Sequence, residues 1–172
     1  IETGLGGRLD ATNVINPALS VITSIGIDHQ QYLGETIESI AQEKLGILKK
    51  NVPLIMADTN NSEIKKIAET TARNLGSSIQ WIKWPEKECC DPILPIALSA
   101  CGSVSLSTPG VFQALNGSIA LAACETLSLG TFQHWQTAIS RVKIPGRMDM
   151  RTIDNHTWIF DVGHNPDSVE LL

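Results

Sequence analysis

Apolar positions in the first half of the chain switch between two repeats. Residues 19–25 (LSVITSI) and 52–57 (VPLIMA) are short runs of the buried-strand type, the first ending at Gly26. Pro53 stands near the start of the second, where a missing N–H is tolerated. Residues 78–82 predict a third strand. Between the strands, apolar residues fall three and four apart. Ile37, Ile40, Ala41, Leu45 and Leu48 predict a helix capped by Thr36, with Glu38 favourable in its first turn. Ile64, Ile67, Ala68, Ala72 and Leu75 predict another, capped by Asn61 or Ser62 and stopped at Gly76. This alternation implies parallel strands with crossover helices, an α/β sheet.

The second half is less regular. Residues 84–102 carry three prolines and the adjacent pair Cys89-Cys90, and predict an irregular excursion. Residues 103–107 predict a strand. Pro109-Gly110 opens a helix through about Leu127, rich in Ala, Leu and Ile, in which Asn116 is the polar exception. Asn116 is open to two readings, a core amide bonded to backbone or a ligand contact. A helix over 133–142 follows. Ile144-Pro145-Gly146-Arg147 then punctuates the chain as a domain boundary. Residues 148–153 and 157–162 predict a hairpin around Asp154-Asn155. Asn165 as N-cap and Pro166 at the first helical position predict a helix start, which places Asp161 and His164 in a strand-to-helix loop.

Bulk properties narrow the class. A chain of 172 residues has room for one compact domain, or one and part of another. A composition 42% hydrophobic and 18% charged is that of a globular protein with a buried core. The net charge of −5 and the lack of a Lys/Arg run argue against a nucleic-acid partner. No apolar run reaches membrane-spanning length, so no membrane partner is expected. Cys89, Cys90, Cys101 and Cys124 form no CxxC pair, nor a zinc-ligand spacing with His134 or His156. With no signal peptide at the start, reduced thiols in the cytoplasm are expected.

The densest chemistry lies in the opening IETGLGGRLDATN, where Gly4, Gly6 and Gly7 stand between Glu2 and the cluster Arg8, Asp10, Thr12, Asn13. Glycine permits close approaches that side chains forbid, which suits a polyanion or a metal–phosphate unit. An ordinary connection has the same composition. Asp28-His29 follows the first strand at its carboxyl end, where open α/β sheets hold ligands, although a solvated loop histidine also accounts for it. Lys44 falls within the apolar stripe of the first helix. It either snorkels its amine to water or, sheltered and neutral, reacts with CO2 to give a carbamate, an anionic metal ligand.

The wording of these segments resembles the folylpolyglutamate synthase and dihydrofolate synthase family, ATP-dependent amide ligases related to the Mur ligases. The resemblance is carried by Glu2-x-Gly-Leu-Gly-Gly-Arg-Leu-Asp-Ala-Thr-Asn, Thr23 to His29, Leu33 to Ile37, Glu43-Lys44-x-Gly46-Ile47, Pro145-Gly146-Arg147 and Asp161-x-x-His164-Asn165-Pro166. They occur in the family's order across nearly the whole chain.

The resemblance implies a fold and a set of roles. Residues 1–144 would be part of a central mononucleotide-binding domain with a mainly parallel sheet. Residues 145–172 would be a linker and the start of a C-terminal α/β domain. Glu2 and His29 match metal ligands, and His29 a catalytic position as well. Lys44 matches the lysine carbamylated to bind a second Mg2+ and steer an acyl phosphate. Asn116, Arg147, Asp161 and His164 match nucleotide-contacting positions at the domain interface, and Asp10 and Ala11 a loop touching the pterin-bearing substrate. The implied reaction joins L-glutamate to dihydropteroate, reduced folate, or both, using ATP and Mg2+, in a monomer. Family members are much longer, with a phosphate loop upstream, and no G-x-x-x-x-G-K-[ST] occurs here, so a fragment is expected. Three alternatives stand beside this reading. They are a Mur-type ligase with another acyl substrate, a non-catalytic nucleotide- or folate-binding remnant, and a dinucleotide-binding oxidoreductase. The last is disfavoured by Leu9, where a third glycine would be needed.

Overall fold

The computed structural model describes residues 1–84, 96–163 and 169. Cys89, Cys90, His164 and the helix start at Asn165-Pro166 lie outside the described residues. The chain divides into two compact units, Ile1–Lys83 and Trp84–Leu172.

In the first unit, β1 (Ser20–Ile22), β2 (Leu54–Ala57) and β3 (Ile79–Ile82) form a parallel sheet in the order β1-β2-β3. All four residues of β2 are buried, as its all-apolar run requires of a central strand. Leu54 and Met56 share one face. They pack with Ile22, with Ala41 and Leu45 of helix α2 (Ile37–Leu45), and with Ile64, Ala68 and Ala72 of helix α3 (Ser62–Leu75).

The helix ends follow the local chemistry. Thr36 and Ser39 cap α2 reciprocally, the Ser39 N–H donating to Thr36 Oγ1 at 3.2 Å. The Asn61 side chain accepts from the N–H groups of Glu63 and Ile64, and Gly76 closes α3 in the left-handed conformation at φ 65°. Two short elements have no periodic signal, a 3-10 turn at Ala11–Val14 and the one-turn helix α1 (Gln30–Leu33).

The second unit holds an antiparallel hairpin of β4 (Ile96–Ser99) and β5 (Gly102–Ser105), then helices α4 (Val111–Thr126) and α5 (Phe132–Ile139). The irregular excursion expected through residue 102 is therefore corrected at its end: Ile96–Ser99 is a strand. Its alternation is only four residues long and directly follows Pro95, so pairing with β5 is what reveals it. Ala97, Val104, Leu106 and Leu121 form the core here, flanked by Phe132, Trp135 and Ile139. Gly117 lets α4 approach the hairpin, because a Cβ there would lie 2.8 Å from that of Ala97.

A second hairpin joins β6 (Asp149–Ile153) to β7 (His156–Phe160) through Asp154 and Asn155, at φ 50° and 61°. Two consecutive left-handed residues make the tight turn whose twist suits a hairpin, and Asp and Asn tolerate it. No helix among the described residues is long and apolar enough to cross a membrane.

Unfolding experiments test these assignments. Asn61→Ala should lower stability by about 1 kcal/mol through loss of the cap. Ile40→Ala, at a side chain with no exposure, should cost about 2–5 kcal/mol. Gly76→Ala should destabilise by more than about 1 kcal/mol, because its φ is left-handed and the new Cβ would meet Asn51 Oδ1 at 2.8 Å.

Candidate active site

The glycine loop at residues 4–7 is where the elements that carry the first unit's candidate residues pack together. It is closed on itself by Asp10, whose Oδ2 accepts from the N–H groups of Gly4 (3.0 Å) and Leu5 (2.9 Å). Its Oδ1 accepts from the N–H of Thr12 (2.9 Å) and from Thr12 Oγ1 (2.5 Å). These bonds, with Thr12 Oγ1 the largest contributor and Leu5 next, lower the Asp10 pKa to about 2. Asp10 thus shapes the loop through its carboxylate, while Ala11 beside it is exposed.

Two consecutive glycines receive two different elements. A Cβ on Gly6, at φ 66°, would meet Leu33 of α1 at 2.7 Å, and α1 begins directly after His29. A Cβ on Gly7 would meet the backbone oxygens of Glu43 (2.7 Å) and Lys44 (3.0 Å) and Ile47 Cγ2 (2.8 Å). Gly46 returns the fit, since a Cβ on it would lie 2.7 Å from Arg8 Cα. The loop that follows Glu2 is therefore packed against the helix that follows His29 and against the last turn of the helix that carries Lys44.

Polar bonds lock this arrangement. The Arg8 N–H donates to the Glu43 carbonyl (2.8 Å), and its guanidinium donates to Glu43 Oε1 from Nε (3.0 Å) and Nη2 (2.8 Å). Asn13 Nδ2 donates to the carbonyls of Arg8 (2.9 Å) and Gly46 (3.1 Å), and Lys49 Nζ donates to the Asn13 carbonyl (2.8 Å). The sequence places Arg8 and Asn13 in the opening cluster and Glu43 beside Lys44 without giving any of them a role, and Lys49 carries no signal there. Arg8 and Glu43 are 35 residues apart, and no periodicity links them. The available signal was the pair Gly7 and Gly46, the first directly before Arg8 and the second three residues after Glu43.

The individual candidates stand as follows. Glu2 is exposed, and its carboxylate makes no hydrogen bond among the described residues. His29 is exposed and left-handed at φ 51°, its N–H donating to Asp28 Oδ1 at 2.7 Å and its Nε2 standing 3.8 Å from Asp28 Oδ2. Lys44 is half-buried, and its amine makes no hydrogen bond or ion pair among the described residues. No group of three or more His, Cys, Asp or Glu side chains forms a ready-made metal cage among the described residues. The donors nevertheless suit Mg2+, which takes one or two protein ligands and completes its shell from phosphate and water. An ammonium only donates, so Lys44 could serve such an ion only as a carbamate.

In the second unit Asn116 is exposed on α4, with Nδ2 3.4 Å from Gln113 Oε1, so it is not a core amide. The buried polar group of that helix is Ser118, whose Oγ donates to the Ala114 carbonyl (2.7 Å) and accepts from the Leu98 N–H (2.8 Å). Arg147 and Asp161 are brought to one loop cluster. Asp161 Oδ2 accepts from the N–H of Met148 (2.8 Å) and Oδ1 from that of Gly163 (2.7 Å), while the Val162 N–H donates to the Gly146 carbonyl (2.9 Å). The Arg147 side chain is exposed beside this junction. His164 lies outside the described residues.

A parallel sheet with a glycine loop ahead of its first strand, rather than a strand–glycine turn–helix unit, separates this fold from dinucleotide-binding oxidoreductases. No family model matches the sequence. Relatives do. A probable dihydrofolate synthetase of Schizosaccharomyces pombe is 35% identical over 192 residues, covering 99% of this chain and 43% of the relative. A dihydrofolate synthase/folylpolyglutamate synthase of Bacillus subtilis is 33% identical over 189 residues, covering 99% and 42%. Among solved structures, folylpolyglutamate synthase of Thermotoga maritima superimposes with a TM-score of 0.79 at 30% identity, covering 99% of this chain and 40% of that one. Escherichia coli FolC in complex with DHPP and ADP gives 0.77 at 30% identity, over 98% and 40%. Over 98–99% of its length the chain is similar to members of the folylpolyglutamate synthase/dihydrofolate synthase family. It spans less than half the length of the curated relatives it matches.

Two measurements probe the loop. Gly7→Ala should destabilise the first unit by about 1–3 kcal/mol, because backbone oxygens cannot move aside. Gly4→Ala, which meets only the Asp10 carboxylate at 3.2 Å, should cost less in the same denaturation assay. The Asp10 carboxylate supports the loop fully above the ordinary carboxylate range, and that support is lost as pH falls through about 2. The Gly4 and Leu5 amide resonances should therefore titrate near that pH, and in Asp10→Asn they should not titrate.

Proposed function

We propose that the protein to which this chain belongs is an ATP-dependent ligase that adds L-glutamate to dihydropteroate, to reduced folate, or to both. The observation that carries this reading is continuous similarity: relatives named for these activities align with 99–100% of the chain. A folylpolyglutamate synthase solved with AMPPCP and folate gives a TM-score of 0.84 at 25% identity over 99% of the chain. The glycine hub adds a physical reason, since it gathers the elements bearing Glu2, His29 and Lys44.

Carboxylate and amine do not condense in water, so the carboxylate must first be activated. In the proposed reaction a carboxylate oxygen of the acceptor attacks the γ-phosphorus and ADP leaves. The glutamate nitrogen then attacks the acyl carbonyl, phosphate departs with the C–O electron pair, and the nitrogen loses a proton. Phosphoryl transfer of this kind depends on positioning and charge neutralisation. Glu2 and His29 would hold a Mg2+ that neutralises phosphate charge, and Lys44, as a carbamate, would hold a second. Asn116, Arg147, Asp161 and His164 would contact the nucleotide, and Asp10 and Ala11 would border the pterin-bearing acceptor. Asp161 would act by shaping the Arg147 loop, because its two carboxylate oxygens hold backbone N–H groups. The division into a central domain through 144 and a C-terminal domain from 145 belongs to the same proposal, as do a monomeric state and a cytoplasmic location.

The test uses the full-length protein with ATP, Mg2+ and labelled L-glutamate, offered dihydropteroate and tetrahydrofolate in parallel. Glutamate should enter one or both acceptors, and Glu2→Ala should reduce incorporation about a hundredfold. No incorporation into either by a folded, ATP-binding protein would overturn the assignment. The 172 residues alone should support no turnover, because no G-x-x-x-x-G-K-[ST] occurs among them.

A further inference from the structure

We infer that Arg8 and Glu43 are positioning residues that fix the Lys44 turn of α2 against the loop following Glu2. The inference rests on the ligase reading above for its catalytic consequence, though not for its geometry.

A helix leaves its last carbonyls without intrahelical donors, and a nine-residue helix such as α2 frays readily at that end. The Gly46 N–H already reaches the Gln42 and Glu43 carbonyls (3.1 and 3.3 Å), and the loop adds further donors: the Arg8 N–H bonds the Glu43 carbonyl at 2.8 Å, and Asn13 Nδ2 bonds that of Gly46. Glu43 answers by gripping the Arg8 guanidinium through two N–H groups on one oxygen. Lys44 stands between these attachments, with its own carbonyl against Gly7. The direction in which its side chain leaves the helix is thus set by how the turn is pinned. The Arg8 side chain is 55% exposed and that of Glu43 22%. With its arginine half in water the pair contributes modestly to global stability, so a loss of activity larger than the loss of stability separates a positioning role from a structural one. Arginine suits the task because its rigid fork puts two N–H groups on Glu43 Oε1 at once, which a lysine's single ammonium point would not reproduce.

The test compares the full-length protein with Arg8→Ala, Glu43→Ala and the exchange Arg8→Glu with Glu43→Arg. Three quantities are read: melting temperature, kcat and KM for ATP and acceptor, and the rate at which an amine-reactive ester labels Lys44, mapped by mass spectrometry. Each alanine variant should melt within a few degrees of the parent, lose about tenfold or more in kcat with KM for ATP within about twofold, and label Lys44 at a changed rate. The exchange should recover part of both losses. Unchanged kcat and labelling in both alanine variants would overturn the inference. So would losses that follow melting temperature and are not recovered by the exchange. Should the parent ligate no glutamate, the ligase reading falls separately. The labelling rates then decide the positioning claim: a change on removing Arg8, partly reversed by the exchange, supports it, and an unchanged rate overturns it.

Discussion

Everything distinctive in the first unit depends on how closely a backbone loop approaches a helix end. Gly7 and Gly46 face each other's neighbours at distances where a methyl group on either would overlap main-chain atoms. This contact adds a second chain segment to the helix's own C-cap at Gly46. Its energetic basis is backbone hydrogen bonding in a partly dry contact, in which an unmet carbonyl would be costly. Specificity comes from the two glycines and the Arg8–Glu43 pair, not from apolar area.

The apolar core of this unit has a different task. Leu54 and Met56 of the central strand, with the inward faces of α2 and α3, hold the sheet and set where α2 ends. The loop then reads out that position. Core packing places the Lys44 turn coarsely, and polar closure places it finely. For the proposed phosphoryl transfer the fine placement would matter, because a misplacement of about 1 Å can cost a hundredfold in rate.

The second unit uses buried or half-buried polar groups to similar effect. Ser118 spends its hydroxyl twice, on its own helix and on the β4 backbone, and so sets α4 against the hairpin beside the close approach at Gly117. Asp161 joins the turn before β6 to the loop after β7 through two backbone amides. Each is a short side chain that satisfies main-chain donors no ladder reaches.

The sequence by itself determined the parallel sheet, both long helices of the first unit with their caps, helix α4 and the β6–β7 hairpin. Each of these is written in local periodicity, in capping residues such as Thr36 and Asn61, or in turn residues such as Asp154 and Asn155. Family wording also singled out Glu2, His29, Lys44 and Asp10. Strand β4 and helix α1 were not legible, because each is four residues long and exists through what it packs on. Only the tertiary structure decided that Asn116 is exposed while Ser118 is buried, and that Arg8, Asn13 and Glu43 close the loop. Those relations join residues tens of positions apart, and a local pattern carries no record of a contact made by folding back.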